Sequence, residues 1–481
     1  MPSAAIVWFQ RDLRLDDNPA LWQACASHDI VIPVFIAGSD DDQTLGAPSR
    51  WWLSRSLHAL DASLRKACNR LVVRRGHAAR ELLDLCAESG AGAVYWNRRY
   101  EPAAVAASAA VERALGAAGV AARTSDGALL RDPSLSAKAD GTPYRVFTPF
   151  WRALMSKGSP EQPLASPAAI PPPPAWLRSL RIDDLHWQGD EACSRRLTGL
   201  WRPGESGARA TWTLFLDRLA AYSRDRDRLD RSATSRLSPH VAAGEISVRQ
   251  LWHVLHDLAE RRPALSASVQ SFVRQLVWRE FAYHLLYHLP EAVEQPLREE
   301  FVRFPWRQDE AGLQAWQRGC TGYPIVDAAM RELSATGWMH NRARMIVASF
   351  LVKDLMLPWQ HGARWFEKTL VDADLANNTL GWQWVSGCGA DAAPFFRIFN
   401  PTLQARKFDP DGTYVRRWLP ALEYVPTSCV HEPWKAPASV LASAGVRLGI
   451  DYPEPIVSHE MAKRSALAAY KRLTAGGDGG E

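Results

Sequence analysis

Within the first ~125 residues, short apolar runs alternate with stretches of helical spacing, and no other feature constrains the fold of this chain as strongly. Strand, helix and parallel strand make a βαβ unit, and repeated units build a parallel sheet covered on both faces. The runs predict strands over Ala5–Phe9, Ile30–Ile36, Leu71–Arg74, Ala93–Trp96 and Val120–Arg123. Between them the spacing predicts helices over Asn18–Ser27, Pro48–Cys68, Ala78–Glu88 and Pro102–Ala118. The second and fourth open at a proline, which the first helical turn favours because it lacks an N–H. No G-x-G-x-x-G follows the first strand, where Asp12-Leu13-Arg14 stands instead. A doubly wound layer is expected, without the dinucleotide fingerprint.

The pattern then breaks. Gly158 to Ala175 reads GSPEQPLASPAAIPPPPA, too rich in proline for helix or sheet interior and suited to an extended path. An α/β domain over 1–130 is therefore expected, then a linker over 131–210 that is Pro-rich at 158–175, then a helical domain over 211–475. Ser268–His288 and Gly337–Met356 predict the clearest helices of that larger part. The expected fold class is α/β, with an N-terminal doubly wound parallel sheet followed by an all-helical domain.

Composition excludes several classes. No apolar run among the 481 residues approaches the ~20 needed to cross a bilayer, and Met1 to Ala5 carries no secretory pattern. The seven cysteines are scattered and form no CxxC pair, which argues against a disulfide framework or zinc site and for a reducing, cytoplasmic setting. The net charge of +5 allows a local basic groove without by itself predicting nucleic-acid binding. Tryptophan is the unusual component: there are 21, more than the 15 phenylalanines. Such a set serves either a tryptophan-rich core or a chain that moves electrons and stacks on flat ligands.

Three segments carry chemistry. Thr234-Ser235-Arg236-Leu237-Ser238 places hydroxyls around an arginine before a helical pattern at Ser247–Leu258. Such groups hold phosphate or serve as ordinary caps. In Gly337–Met356, helical spacing puts Trp338, Asn341 and Met345 on one face with Arg342 and Arg344 beside it, a set suited to a heteroaromatic base and a phosphate. Asp372 to Trp384 combines two carboxylates, two amides and two tryptophans. It reads as a polar heterocycle pocket with aromatic walls, or as a loop of cap residues.

At these positions the chain resembles the DNA photolyase/cryptochrome flavoproteins, most closely the class I cyclobutane pyrimidine dimer photolyases. The resemblance rests on WQRGCTGYPIVDAAMREL from Trp316, GWMHNRARM from Gly337 and GWQW from Gly381. It extends to the N-terminal VWFQRDLRLDDNPAL and the late FRIFNPTLQARKFDPDGTYVRRWLP and VHEPW. It is weakest across Arg131–Trp212. It implies FAD held in the helical domain: Tyr222, Thr234, Ser235, Arg236, Leu237 and Ser238 around its phosphates, and Asn341, Arg344, Asp372, Asp374 and Asn378 around its ring. Asn378 would face the flavin N5, Trp338 would pack nearby, and Arg344 would pair with Asp372. Trp382, Trp359 and Trp306 match the family's electron path from flavin to surface. Trp278 and Trp384 match an aromatic wedge against a flipped dimer in a pocket completed by Asn341, Arg342 and Met345. Arg226, Arg342, Arg397 and Lys407 match contacts to DNA. The implied reaction is light-driven electron transfer from reduced flavin to the dimer, ring splitting and return of the electron, on DNA containing pyrimidine dimers. A monomer is the family's habit.

Two departures qualify that reading. Glu-x-x-Trp is typical of dimer photolyases, but this chain has Gln275-Leu276-Val277-Trp278. A glutamine amide can donate a hydrogen bond but cannot share a proton with a radical anion. A bond to a charged group is worth roughly 1.5–3 kcal/mol, so losing half shifts a rate ratio by nearly tenfold. Repair is therefore expected to be weakened or lost, with a cryptochrome-like blue-light receptor as the alternative. Six-four repair is disfavoured, because Asn341 and Met345 stand where those enzymes carry histidines. For the receptor, no long signalling tail is seen after Tyr470, so a signalling output is not visible. Second, Tyr100-Glu101 is followed by Pro102, Ala103 and Ala104 rather than the Asn-Glu pair of folate-binding relatives, so the folate contacts are not matched. The antenna chromophore therefore stays undetermined, with Trp51 and Trp52 either crowding that region or simply packing.

Overall fold

The computed structural model describes residues 2–38, 45–175, 177–187, 191–395 and 397–475. They form two compact units: residues 1–220, 235–290 and 371–376 in the first, and 221–234, 291–370 and 377–481 in the second.

In the first unit, strands β1 (Ala4–Phe9), β2 (Ile30–Ala37), β3 (Val72–Arg75), β4 (Ala93–Asn97) and β5 (Ala121–Ser125) alternate with helices. These are α1 (Pro19–Ser27), α2 (Ala47–Lys66), α3 (Ala78–Ser89) and α4 (Pro102–Ala117). The sheet is parallel in the order β3-β2-β1-β4-β5, with Ala5 of β1 opposite Val31 of β2 on one side and Ala93 of β4 on the other. Every residue of β1 is buried, as a strand covered on both faces requires. The two-residue side-chain period sends Ala5, Val7 and Phe9 into one core, and Ala4, Ile6 and Trp8 into the other. All five strands expected from the apolar runs are present, with ends shifted by a residue or so. Asn18, expected inside the first helix, caps it instead, accepting from the Leu21 N–H at 3.1 Å.

The stretch 131–210 carries α5 (Phe147–Ser156) and α6 (Glu191–Thr198), while 158–175 runs without regular elements. Helices α7 (Glu205–Leu216), α8 (Leu219–Asp225), α9 (Ser238–Ala242), α10 (Val248–Arg261) and α11 (Ser266–His288) follow. The segment around Ser238 does not lead directly into the long helix. It opens the five-residue α9, and Ser247 caps α10 in a reciprocal box with Gln250. Trp51 and Trp52 are packing residues. Both are buried, and Trp52 donates from Nε1 to Glu245 at 3.1 Å and meets Trp201 edge-on.

The second unit contains α12 (Glu310–Arg318), α13 (Pro324–Thr336), α14 (Asn341–Ser349), α15 (Trp359–Thr369), most of α16 (Leu375–Ser386), α17 (Pro401–Phe408), α18 (Thr413–Trp418), α19 (Ala438–Ser443) and α20 (His459–Ala475). The helix expected over Gly337–Met356 starts later, at Asn341, and runs to Asp354. Gly337, at φ +67°, ends α13 in the left-handed conformation, and α14 starts at Asn341 with His340 as its cap. After Ser349 the helix widens to a π-turn over Phe350–Asp354. Trp338 thus lies in the link, off the face shared by Asn341 and Met345. Among the described residues, no helix is long and apolar enough to cross a membrane, no group of side chains could hold a metal ion, and all seven cysteines are free.

Candidate functional site

In the second unit, of three tryptophans, Trp382 and Trp359 are each 2% exposed and Trp306 is half-buried. The indole of Trp382 lies against α15 at Gly362, where an added Cβ would fall 2.0 Å from its Cη2. Only glycine permits so close an approach. Phe366, one turn further along α15, meets the Trp382 ring edge-on at 5.1 Å, and Trp316 does so at 6.2 Å. Trp359 begins the same helix, one turn before Gly362. Trp359 and Trp306 then line one cleft of about 390 Å³ with Phe301, Pro358 and His361. The series runs from an enclosed indole, past one helical turn, to a cleft at the surface.

Asn378, half-buried on α16, donates from Nδ2 to the Ala363 carbonyl at 3.0 Å. A carbonyl only accepts, so this bond fixes the amide orientation and leaves Oδ1 as the acceptor.

Two cations of this unit meet at the Phe408 ring. Arg342, in the first turn of α14, holds Asp227 through Nη2 at 2.8 Å, with its guanidinium 4.5 Å from the Phe408 centroid. Lys407 reaches the same ring at 5.3 Å. Arg226 approaches Asp227 at 3.8 Å and lies 5.4 Å from the Tyr222 ring. Asn341 Nδ2 lies 3.9 Å from the Met345 sulfur, and Arg344 donates from Nε to the Met339 carbonyl at 2.8 Å. Trp384 is half-buried and Arg397 exposed. His340 accepts the Arg342 N–H through Nδ1 at 3.1 Å. Burial pushes its imidazole down to about 4, against the opposing pull of Asp227, so the ring is neutral.

In the first unit, Trp278 on α11 is stacked on Phe147 of α5, centroids 3.7 Å apart and planes within 8°. One face of the indole is thereby covered. Gln275, one turn earlier, donates from Nε2 to the Ser271 carbonyl at 3.2 Å, so one of its two amide N–H donors is held by its own helix. Asp374 accepts from the Tyr283 hydroxyl at 2.8 Å, and Arg279 lies 4.6 Å from the Tyr283 ring. Arg236, at φ +54°, packs its guanidinium 4.4 Å from the Trp201 ring, and Leu237 N–H donates to Ser235 Oγ at 3.3 Å. A separate cavity of about 280 Å³ opens at the carboxyl ends of β1 and β2, walled by Trp8, Phe35 and His77 and floored by Ala103, Ala107 and Ala110 of α4.

Thus Tyr222, Arg226, Arg342 and Lys407 form one group of the second unit, and Trp306, Trp359 and Trp382 another. Gln275, Trp278, Asp372, Asp374 and Ser235–Ser238 belong to the first unit, while Thr234, Trp338, Trp384 and Asn378 belong to the second. The expected Arg344–Asp372 pair has one member in each. Sequence reasoning missed Phe147, Asp227, Tyr283, Trp316 and Gly362. Asp227 follows Arg226 directly, and Trp316 opens one of the motifs, so both were within reach. The other three meet their partners only through the fold.

Residues 5–173 match the DNA photolyase model, and residues 272–472 match the FAD binding domain of DNA photolyase. The chain is 48% identical to the deoxyribodipyrimidine photo-lyase of Agrobacterium fabrum over 97% of each, and 40% identical to cryptochrome-1 of Arabidopsis thaliana over 98% of this chain and 70% of that one. A bacterial class III photolyase from Agrobacterium tumefaciens superposes with a TM-score of 0.95 at 46% identity, covering 99% of this chain and 98% of that one. That relative is of class III, where the motifs had suggested class I. With a parallel-sheet part, an FAD-binding helical part and relatives matched along nearly its full length, the chain belongs to the DNA photolyase/cryptochrome family.

Proposed function

We propose that this flavoprotein is a light-driven electron-transfer protein acting on pyrimidine dimers in DNA, with repair weakened at Gln275. The observation carrying this reading is the tryptophan series, since buried indoles leading to a surface cleft are what passage of electrons to a buried acceptor requires. Asn378 fits the FAD that the matched domain binds: its fixed Oδ1 offers an acceptor where a ring N–H must be met. When bound, FAD supplies blue-light absorption and the exchangeable electron.

The chain's own residues have separable tasks. Trp382, Trp359 and Trp306 would relay electrons, and Tyr222, Thr234, Ser235, Arg236, Leu237 and Ser238 would border the phosphates. Arg344, Asp372 and Asp374 would orient the ring edge, and Tyr283 would hold Asp374. Trp278 and Trp384 would press on the extruded lesion beside Asn341 and Met345. Stacking on Phe147 supports the Trp278 role, because a half-buried indole held rigid by a stacked ring suits a wedge. Flipping costs a few kcal/mol, least for damaged bases. Arg226, Arg342, Arg397 and Lys407 would meet phosphates. The alanine-floored cavity at the strand ends suits a flat second chromophore.

The engaged amide of Gln275 favours a second reading, a photoreceptor without repair. Blue illumination of the FAD-loaded chain with a dimer-containing oligonucleotide separates the two. Measurable dimer loss, increased by Gln275→Glu, supports the enzyme. Flavin photoreduction without dimer loss in either protein supports the receptor, and a chain that takes up no FAD contradicts both.

A further inference from the structure

We propose that Asp227 is a specificity-determining residue, an internal competitor that keeps Arg342 from the phosphates of undamaged DNA. This inference rests on the DNA-binding reading above. Two cations, Arg226 and Arg342, flank one anion, with Lys407 on the same Phe408 ring as Arg342, and Asp227 takes the Nη2 donor of Arg342 at 2.8 Å while remaining 39% exposed. A phosphodiester and a carboxylate compete for the same guanidinium edge, because both offer paired anionic oxygens. The Arg342 Nε is buried without a hydrogen-bond partner, so the Asp227 bond carries much of that group's pairing. Phe408, against the guanidinium at 4.5 Å, holds Arg342 in place without the carboxylate. Removing Asp227 therefore frees the cation rather than releasing its position.

Binding to undamaged duplex is almost wholly electrostatic. Such a complex gains nothing else in exchange for breaking the Arg342–Asp227 bond, so Arg342 stays on Asp227. A complex with a flipped lesion adds stacking and pocket contacts, which offset that loss and let the phosphate displace the carboxylate. Asp227 thus acts against wrong partners more than against the right one.

The test uses the FAD-loaded full chain and fluorescence anisotropy with matched dimer-containing and undamaged oligonucleotides across 50–200 mM salt. Asp227→Asn is expected to bind undamaged DNA more tightly and to steepen its log–log salt slope by about 0.9, one added phosphate contact. The slope for dimer-containing DNA stays nearly unchanged, so discrimination falls. Asp257→Asn, which removes the same charge from an exposed pair with Arg261 at 3.0 Å, should leave the slopes unaltered. Asp227→Ser repeats the measurement without an amide, and adding Arg342→Ala should cancel the gain. If both Asp227 variants behave like Asp257→Asn while the wild type still prefers the dimer, the inference is wrong and the DNA-binding reading stands. If the wild type binds neither oligonucleotide at the lowest salt, both fall together.

Discussion

The tryptophan series and the Arg342 cluster belong to the same unit but are held by different forces. Trp382 is fixed by shape: Gly362 on one side, Phe366 and Trp316 on others, with no charged group among these contacts. Arg342 is fixed by charge and by one ring, Asp227 and Phe408, and remains partly open to solvent. Close packing is insensitive to salt, whereas exposed charge is screened within ~8–10 Å at ordinary ionic strength. A buried relay should work alike in any buffer, while the contact with DNA should be tuned by salt.

The largest effect expected is at Gly362. Gly362→Ala drives a methyl into the Trp382 indole, and such overpacking costs about 1–3 kcal/mol. Its melting temperature should drop and photoreduction should slow, with DNA salt dependence intact. A variant that melts like the wild type and photoreduces normally would show that Trp382 is not packed as described. Next comes Arg342→Ala, expected to weaken binding of dimer-containing DNA and flatten its salt slope by about 0.9, with little change for undamaged DNA and none in photoreduction. Loss of photoreduction in that variant would erase the distinction between the two regions.

The smallest effect sets the pH range in which the comparison can be made. His284 of the first unit accepts the Tyr144 N–H through Nε2 at 3.0 Å, and burial, with His288 nearby, pushes its imidazole down to about 4. The unfolded chain, with an ordinary histidine near 6.5, binds the proton first. Stability therefore falls as pH drops from about 6.5 toward 4 and is unaffected by His284 above that window. Acid melts should show this slope in the wild type and a shallower one in His284→Gln. Equal slopes would remove His284 as the cause.

The sheet was legible because parallel strands buried on both faces must be apolar throughout, and a run such as Ala4 to Phe9 has few other uses. The start of the helix around Asn341 was misread because helical spacing runs unbroken from Trp338 to Met356. Gly337 carried the stop signal, but its left-handed φ is visible only in the backbone. The π-turn at Phe350–Asp354 preserves helical spacing closely enough to leave no mark in composition. Of the site, Arg342 and Trp278 stood out by motif. Their partners Asp227 and Phe147 lie more than a hundred positions away in the chain, and nothing local announces an ion pair or ring stack across that distance.

As proposed above, Trp382 would be the first relay of an electron path toward bound FAD. Photoreduction of the FAD-loaded chain under continuous blue light, with excess external reductant, tests it most directly by comparing the wild type with Trp382→Phe. The account predicts that the wild type bleaches to reduced flavin while the variant, binding FAD equally well, does so roughly tenfold more slowly or worse, a barrier change of at least about 1.4 kcal/mol. Equal rates in the two proteins would contradict it.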